Sequence, residues 1–525
     1  LKSISEKTSN TNSLLKLYLC REVTTAYVDK SFFKPYLVAL PTLGQINSPY
    51  TWLEQDKALL KGSNLGSSLA DNLALIIEEW WQVINLLPET VPKPANHFVN
   101  MKFYYEYKFY KDDDFHNYFI NDYDQDNWTG FANYLWASLI LKSRSFPAYL
   151  LQATVKDTTF KQDEAMLLPV IDLLNHDPKA KVNWAVSEDG FFNFKSDSVV
   201  PNQQLFNNYG MKGNEELLLA YGFCLEDNAA DSAALKIKIP QELVKKIEQF
   251  GIKIPTIDDY TTSVVRGAGG EKPTYDDGLL FFVTETNLPE NLVQVFEYLV
   301  KNEWETKITL RMQLHGLNQF RGAIESKLLL LNVPSGTSNN AKNVKIYIES
   351  QQRIFRATIK TIKRMEKLLL TEHKSKLISL KNVYKKDVKL AQSLLLTFGF
   401  TSYEQILQSQ FQDQCWLLFL IRCCNRDEYL SPDADENGDG DNYLPLWIKQ
   451  YFNKVVASST VSAQQIVNYK DIYQNLIPPL NQAVPEIYNR GKWGVEELVH
   501  SATLLDRIGF VRGQEHDCIL VVPEN

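Results

Sequence analysis

One block of the sequence, from Ala165 to Leu235, differs in pattern from everything on either side of it. Short apolar runs bounded by turn residues fill this block, which is typical of β-strands. On both sides of it, apolar residues recur at three- and four-residue spacing, which predicts helices. The strand pattern stops at Pro240, and helical periodicity then continues nearly to the end of the chain. The pattern therefore predicts an α+β protein with a β-rich core followed by a helical domain.

The composition favours a folded chain without membrane spans. Of 525 residues, 44% are apolar and 22% are charged, which excludes disorder as the dominant state. The longest apolar run, Cys415 to Ile421, is too short to cross a bilayer. A net charge of −8 does not indicate a DNA-binding protein. Six cysteines without a Cys-x-x-Cys pair argue against disulfides and structural zinc. We expect a reducing compartment, with the cytoplasm as the default location and nuclear access left open.

The main domain boundary is predicted just after Pro240. Residues 1–241 form the predicted α+β domain, with a helical insertion at about 50–145, and residues 242–525 form a predicted all-α domain. Within the latter, residues 351–395 carry twelve lysines and arginines against three acids. Such a run is usually the solvated side of an amphipathic helix, and a contact with ribosomal RNA is the alternative.

The order of residue types from Asp433 to Leu444 is similar to that of a calcium-binding loop. Its twelfth position is Leu444, where a bidentate glutamate is needed, and Pro445 stands where the exiting helix would run. We interpret it as an acidic surface loop, and we expect no metal site.

Two segments carry candidate chemistry, Asp172-Leu-Leu-Asn-His176 and, about forty residues later, Asn214-Glu-Glu-Leu-Leu-Leu-Ala-Tyr-Gly-Phe223. The second fits a very short helix with Asn214 as its N-cap and Gly222 just past its end, so that Tyr221 lies at the helix terminus. Each segment alone is weak, because Asn-His-Asp-Pro is a common turn and a tyrosine near a helix end usually belongs to a core.

Taken together, in this order and spacing, the two segments resemble the SET-domain lysine methyltransferases. The branch that they resemble includes the Rubisco large-subunit methyltransferase and the fungal ribosomal-protein lysine methyltransferases. Two further segments are similar to this branch, Phe33-Lys-Pro-Tyr-Leu-Val-Ala-Leu-Pro41 and Lys142-Ser-Arg-Ser-Phe146. The resemblance implies that residues 1–241 are the SET domain and that residues 242–525 bind the substrate.

The same resemblance implies S-adenosylmethionine as cofactor and protein-lysine N-methylation as reaction. It makes Tyr221 the catalytic tyrosine, with its hydroxyl aimed at the transferred methyl group and the incoming amine. The cofactor-binding residues that it implies are Arg144, Asp172, Asn175, His176, Tyr221 and Phe223. The substrate-pocket residues are Tyr209 and Leu235.

Two features depart from that branch. Its first SET strand and a glycine-containing loop precede the Phe33 segment, and the residues before Phe33 here contain no such loop, so we expect a fragment of a longer chain. The segment Asp231-Ser-Ala-Ala-Leu235 is small-sided where some relatives carry bulkier pocket residues, which is consistent with a wider lysine pocket.

The favoured hypothesis is methylation of a lysine on a basic ribosomal or translation-associated protein. The acidic segment at 112–126 agrees with a basic partner. Two alternatives stay open, histidine methylation by the same fold and a catalytically inactive protein that binds peptides. Arg144, Asn175, His176 and Tyr221 are all present, which argues against an inactive protein. We expect a monomer that contacts neither membrane nor DNA.

Overall fold

The computed structural model describes residues 10–109, 123–161, 164–197, 200–255, 278–512 and 517–523. By packing, the chain divides into two compact units. The first unit comprises the described parts of Leu1–Glu248, Lys253–Pro289 and Glu325–Thr358. The second unit comprises the described parts of Gln249–Ile252, Glu290–Ile324 and Ile359–Asn525. Both units are discontinuous in sequence. The assignment of the SET domain to residues 1–241 and of substrate binding to residues 242–525 remains a separate prediction.

The front of the chain is mainly helical and then turns to short strands, as its pattern predicts. The helices are α1 (Thr11–Glu22), α2 (Thr25–Val28), α3 (Lys34–Ala39), α4 (Glu54–Lys57), α5 (Asn64–Asn85), α6 (His97–Glu106), α7 (Phe131–Arg144), α8 (Asn214–Tyr221) and α9 (Gln241–Gln249). The strands are β1 (Ser145–Pro147), β2 (Ala165–Leu167), β3 (Asn175–His176), β4 (Val182–Val186), β5 (Phe192–Ser196), β6 (Phe206–Asn207) and β7 (Ala233–Ile237).

The rest of the chain is mostly helical, with short strands between the helices. The helices are α10 (Glu290–Leu299), α11 (Leu310–Leu330), α12 (Asn339–Glu372), α13 (Leu380–Lys386), α14 (Val388–Phe398), α15 (Tyr403–Gln408), α16 (Gln412–Cys424), α17 (Leu446–Ser458), α18 (Ala463–Ala483), α19 (Pro485–Tyr488) and α20 (Val495–Ile508). The strands are β8 (Leu279–Val283), β9 (Leu377–Ser379), β10 (Gly438–Asp439), β11 (Asn442–Tyr443), β12 (Gly509–Arg512) and β13 (Asp517–Val521).

Helix α7 is the centre of the apolar core of the first unit. Every side chain from Phe131 to Leu141 is buried. The ring of Phe131 lies 5.6 Å from that of Trp80 on α5 and 5.4 Å from that of Phe103 on α6, between centroids. Aromatic side chains bury large apolar areas, so these contacts stabilise the packing of α5, α6 and α7 strongly. The C-terminal end of α7, which carries Arg144, is thereby held in place.

The strands of the first unit pair two by two among the described residues. Antiparallel pairs join β1 to β2, β4 to β5 and β7 to β8. Strands β3 and β6 pair in parallel, with Asn175 opposite Phe206 and His176 opposite Asn207. Parallel partners require a crossover, which β4 and β5 occupy here. The parallel pair places the Asn175-His176 segment beside the chain that leads into α8.

The prediction of an all-α C-terminal domain is wrong, because β8 to β13 all follow residue 241. Strands β12, β13 and β9 form one antiparallel sheet in that order, and β8 pairs with β7. Strands β10 and β11 form a hairpin within the acidic stretch Asp433 to Leu444. Each of these strands has five residues or fewer, and such short runs do not distinguish strand alternation from helical periodicity.

The core of the second unit is built around α16. The apolar run from Cys415 to Ile421 lies on this helix and is buried against residues of α14, α17, α18 and α20. Within the parts of the chain that the structure describes, no helix combines the length and the apolar character of a membrane span.

The basic stretch 351–395 is not one helix, because α12 ends at Glu372 and β9, α13 and α14 follow it. On α12 the prediction of an amphipathic helix is confirmed, since Phe355, Ile359 and Ile362 are buried. Most of the acidic segment at 112–126 lies outside the described residues.

Candidate active site

Helix α8 brings Tyr221 to the site, and a glycine fixes the direction in which the chain leaves it. Gly222 follows the helix with φ +78°, the left-handed conformation predicted for a residue at this position. A Cβ atom at Gly222 would lie 2.0 Å from the backbone oxygen of Asn47. Both the backbone angle and the space therefore require glycine between Tyr221 and Phe223.

The start of α8 differs from the prediction, since Gly213 is the N-cap and Asn214 is already helical. The carboxylate of Asp231 accepts a 2.8 Å hydrogen bond from the backbone N–H of Asn214 and a 3.1 Å bond from its side-chain amide. The cap thus comes from 17 residues downstream, which local spacing does not reveal.

Four rings form an aromatic wall: His176 from the first candidate segment, Tyr209 from the chain between the two segments, and Tyr221 and Phe223 from the second. The His176 and Tyr209 rings stack with centroids 5.0 Å apart, and the Tyr209 and Tyr221 rings stack at 4.8 Å. Phe223 completes the group at 6.2 Å from Tyr221 and 6.4 Å from His176. Such a wall offers an apolar surface and negative ring faces to a cation that has lost its water.

Hydrogen bonds fix the first two members of the wall. The backbone N–H of Tyr209 donates to Nδ1 of His176 at 3.1 Å, so the proton of the neutral imidazole is assigned to Nε2. Burial lowers the pKa of His176 below 6.5, so the ring is neutral at pH 7. The hydroxyl of Tyr209 donates to the carbonyl oxygen of Leu174 at 2.7 Å. Tyr209 is therefore held against the β3 segment by both its backbone and its side chain.

A second group consists of Arg144, Asp172 and Tyr36. Nη1 of Arg144 donates to the backbone oxygen of Asp172 at 3.1 Å and lies 3.8 Å from Oδ2 of its carboxylate. The hydroxyl of Tyr36 donates to the same Oδ2 at 2.5 Å. Burial raises the pKa of Asp172, while Tyr36 and Arg144 oppose the rise. Oδ1 of Asp172 is buried and accepts no hydrogen bond within the described part of the chain.

The hydroxyl of Tyr221, unlike those of Tyr36 and Tyr209, makes no hydrogen bond among the described residues. Burial raises the pKa of Tyr221 above its ordinary value, and the nearby carboxylate of Glu216 raises it further. Glu216 itself accepts a hydrogen bond from Lys212, whose Nζ lies 5.9 Å from the centroid of the Tyr221 ring. Tyr221 therefore stays a neutral hydroxyl at ordinary pH and is open to a bound molecule.

The structure places two predicted residues apart from these groups. The side chain of Asn175 is exposed, and this residue joins the site through the backbone of β3. Leu235 is 5% exposed and lies in β7 opposite Phe281, and no contact described above includes it. Its role in the substrate pocket remains a prediction. Among the described residues, no group of three or more His, Cys, Asp or Glu side chains is arranged to hold a metal ion.

Two residues of the site were missed by sequence reasoning. Tyr36 lies in the segment Phe33 to Pro41, which the resemblance singles out, but its contact with Asp172 spans 136 residues. Glu216 lies in the first turn of α8 and was assigned no role in the site, and its contact with Lys212 gives it a place beside Tyr221. The i, i+4 spacing of Lys212 and Glu216 is the one local signal that indicates this pair.

Comparison with known proteins gives one family match and several relatives. Residues 232–373 match the family described as "EFM1 middle domain". The chain is 32% identical to "Ribosomal lysine N-methyltransferase 1" of Saccharomyces cerevisiae, over 80% of this chain and 76% of that protein. It is 29% identical to "Protein-lysine N-methyltransferase EFM1" of the same yeast, over 97% and 85% of the two chains. It is 26% identical to "Ribosomal lysine N-methyltransferase set10" of Schizosaccharomyces pombe, over 75% and 68%.

Among solved structures, the chain is similar to Rubisco LSMT bound to AdoMet, with a TM-score of 0.48, 15% identity and coverage of 70% of this chain and 78% of that one. The family assignment depends instead on the yeast relatives, which are similar to this chain over most of both lengths. Their similarity, together with the two motifs that the fold brings together at His176 and Phe223, shows that the chain belongs to the SET-domain family of protein-lysine N-methyltransferases.

Proposed function

We propose that this protein transfers a methyl group from S-adenosylmethionine to a lysine side chain of a basic ribosomal or translation-associated protein. The observation that carries this proposal is the aromatic wall, in which the Tyr221 hydroxyl makes no hydrogen bond among the described residues. The names of two relatives, which refer to ribosomal lysine methylation, support the substrate class. We assign catalysis to residues 1–241 and substrate binding to residues 242–525, and we expect the enzyme in the cytoplasm.

The residues of the site fit the chemical groups of the cofactor. Among the described residues, Nε and Nη2 of Arg144 make no hydrogen bond, so the guanidinium can pair with the cofactor carboxylate as a fork. Asp172 holds Arg144 in that orientation, and its buried Oδ1 can accept from one more donor. Asn175 and His176 would contact the cofactor through backbone groups of β3, with Phe223 packed behind Tyr221. The bound cofactor supplies a methyl group on a positively charged sulfur.

The target lysine is the chemically difficult partner. With a reference pKa of about 10.4, only about 0.1% of lysine is neutral at pH 7.4. Deprotonating the lysine at this pH therefore costs roughly 4 kcal/mol of free energy. An aromatic channel beside a sulfonium disfavours the ammonium through desolvation and like charge. Tyr209 and Tyr221 would form that channel, and Leu235 is proposed to close its far side. No dedicated base is then needed.

Positioning is proposed to supply most of the catalysis. In this displacement a positive charge moves from sulfur to nitrogen, so little new charge has to be stabilised. Tyr221 is neutral because burial and Glu216 both raise its pKa. A neutral phenol is a poor proton acceptor, and we therefore assign Tyr221 the role of aligning the amine and the methyl group.

Transfer of tritium from methyl-labelled S-adenosylmethionine tests this function. The protein is incubated with ribosomal proteins from a strain that lacks the gene, and the product is hydrolysed to amino acids. We expect labelled methyl-lysine. Labelled methyl-histidine would show that the acceptor is histidine and would leave the fold assignment unchanged. If the protein neither transfers label nor binds the cofactor in calorimetry, the result would favour an inactive peptide-binding protein.

Replacing Arg144 with lysine is expected to weaken cofactor binding about tenfold, because an ammonium cannot make the two parallel bonds of a guanidinium. Calorimetric titration with S-adenosylmethionine measures the change. Arg353→Lys is the matched control, since Arg353 is exposed and pairs with Glu285 on the surface of the same unit. An equal dissociation constant for Arg144→Lys and the control would exclude the proposed carboxylate contact.

The pH dependence of kcat/KM distinguishes a tyrosine that aligns the reacting groups from a tyrosine that acts as a general base. His176 is already neutral at pH 7 because its pKa is lowered, and Tyr221 stays protonated because its pKa is raised. Neither group should titrate between pH 7 and 9. Because the neutral fraction of the target lysine rises tenfold per pH unit below its pKa, log kcat/KM should rise with a slope of about 1. The Tyr221→Phe variant should show the same slope at a lower level, and a plateau that only the wild type shows would make Tyr221 the base.

A further inference from the structure

A lysine and a glutamate form an ion pair against the aromatic wall. Nζ of Lys212 donates a hydrogen bond to Oε1 of Glu216 and lies 5.9 Å from the centroid of the Tyr221 ring. The side chains of Lys212 and Glu216 are only 15% and 4% exposed. Because so little water surrounds the pair, its charges are screened weakly and act on groups bound at the wall.

The backbone holds this ion pair in a set place. The carbonyl oxygen of Lys212 accepts a 2.8 Å hydrogen bond from the side-chain amide of Asn228, which also donates to Oδ1 of Asn214 at 3.3 Å. Glu216 lies in the first turn of α8, and Tyr221 is the last residue of the same helix. The positions of both charges relative to the Tyr221 ring are therefore fixed by one short segment.

The carboxylate of Glu216 depends on Lys212 for its compensation. Oε2 of Glu216 is buried and accepts no hydrogen bond within the described part of the chain. The hydrogen bond from Lys212 is on the other oxygen, Oε1. Removing the ammonium would therefore leave a buried carboxylate beside Tyr221 without this partner, and removing the carboxylate would leave an ammonium there.

Both charges of the pair reach the rings of the wall. Burial raises the pKa of Tyr221, and the carboxylate of Glu216 raises it further. Burial lowers the pKa of His176, and the charge of Lys212 adds to this fall while Asp177 opposes it. An amine bound between these rings would experience the same two charges.

Lys142 on α7 is a second lysine within reach of the pair. Burial lowers its pKa to about 8, Glu216 opposes this fall, and the charges of Lys16 and Lys212 add to it. Other charged groups near α8 have partners of their own: Asp172 accepts from Tyr36 and lies near Arg144, Glu215 accepts from Tyr347, and Asp231 accepts from Asn214. Lys212, Glu216 and Lys142 therefore set most of the potential beside Tyr221.

We propose that Lys212 cancels the charge of Glu216 beside the aromatic wall, so that the amine of the target lysine meets no net negative charge and loses its proton more readily. This inference rests on the proposed function, because it concerns an amine bound against Tyr209 and Tyr221. The proton goes to solvent, and the neutral amine then takes the methyl group from sulfur. A carboxylate without its partner would instead hold the target as an ammonium, which has no free electron pair for the attack. Lys212 acts through Glu216 and is not itself a catalytic residue.

Single-turnover methyl transfer at different pH values tests this inference. Enzyme in excess over methyl-tritiated S-adenosylmethionine is mixed with saturating ribosomal protein from the strain that lacks the gene. The rate constant is measured between about pH 6.5 and 10. Because the substrate is already bound, the pH at which the rate constant levels off reports the pKa of the bound lysine. A misfolded fraction of a variant lowers the amplitude and leaves this pH unchanged.

The two single variants should shift the pKa of the bound lysine in opposite directions. Lys212→Met leaves the carboxylate uncompensated, so this pKa should rise by about one unit and the rate constant at pH 7 should fall about tenfold. Glu216→Gln leaves the ammonium uncompensated, so the pKa should fall by about one unit. The double variant should return to within about 0.3 unit of the wild type, and Lys212→Arg should match the wild type.

The matched control is Lys345→Met, which removes the lysine of an exposed i, i+4 pair with Glu349 on α12 in the same unit. It should leave the pKa of the bound lysine unchanged, and a shift as large as that of Lys212→Met would overturn the inference. Lower rates in both single variants without any shift would show that the pair is only structural, which also overturns it. If the wild type transfers no label, the proposed function fails and this inference fails with it.

Two further backgrounds identify the group on which the pair acts. In Tyr221→Phe the opposite shifts should persist, because the pair acts on the amine; their loss would assign the effect to the Tyr221 hydroxyl and overturn the inference. Lys142→Met removes a lysine whose pKa of about 8 lies within the pH range of the measurement. The shifts should persist in this background too, and their loss would assign the pH dependence to Lys142 instead of the substrate.

Discussion

Replacing Tyr221 with phenylalanine is expected to lower methyl transfer about 100-fold, because removing one group that aligns reacting atoms typically has an effect of that size. The hydroxyl makes no hydrogen bond among the described residues, so its removal breaks no hydrogen bond within that part of the chain. The ring keeps its place, since it stacks on Tyr209 at 4.8 Å and packs beside Phe223. Cofactor binding by calorimetry should therefore change by no more than about threefold.

The matched control for this variant is Tyr488→Phe, which removes a buried tyrosine hydroxyl from the second unit. It should leave the initial rate of tritium transfer unchanged. The degree of methylation is read from the same hydrolysate, since a hydroxyl that aligns the amine also affects how a methylated amine is held. Unchanged rate and unchanged product in Tyr221→Phe would remove this residue from the catalytic mechanism.

Replacing Gly222 with alanine is expected to destabilise the first unit by about 3 kcal/mol or more, which combines the left-handed backbone cost with a close atomic overlap. The new Cβ would lie 2.0 Å from the backbone oxygen of Asn47. Movement of Asn47 is restricted, because its side chain donates to the Gly222 oxygen at 3.1 Å and accepts from Trp52 at 2.6 Å. The strain therefore falls on Tyr221 and on the chain that follows it, and methyl transfer should fall together with the melting temperature.

Gly190→Ala isolates the cause of that loss. Gly190 has φ +88°, close to the +78° of Gly222, but a Cβ at Gly190 meets no atom within 4 Å. Its alanine variant should lose only about 1–2 kcal/mol. Asparagine tolerates the left-handed conformation, so Gly222→Asn should be nearly as damaging as Gly222→Ala, whereas Gly190→Asn should be close to neutral. Equal melting temperatures for the two alanine variants would show that the contact with Asn47 is unimportant.

Local pattern predicted the parts of the fold that depend on neighbours in sequence. The glycine that ends α8, the short strands between Ala165 and Leu235 and the apolar side of α12 were all predicted correctly, because a helix terminus, a pleat and a helical face are properties of consecutive residues. Short strands after residue 241 were missed, because runs of two to five residues carry too little periodicity. The N-cap at Asn214 was wrong because Asp231 supplies the cap.

The sequence by itself determined the class of site, because the spacing of Asn175-His176 and Tyr221-Gly-Phe223 resembles one family and the similarity to yeast lysine methyltransferases bears that family out. It could not determine which side chains touch. The contact of Tyr36 with Asp172 and the stacking of Tyr209 between His176 and Tyr221 arise only when distant segments pack. Only the tertiary structure decided that Glu366 and Asp387 are buried against arginines, which removes both carboxylates from the exposed charges of residues 351–395. The physical reason is that burial and pairing of charges depend on the whole fold, whereas periodicity depends on the chain alone.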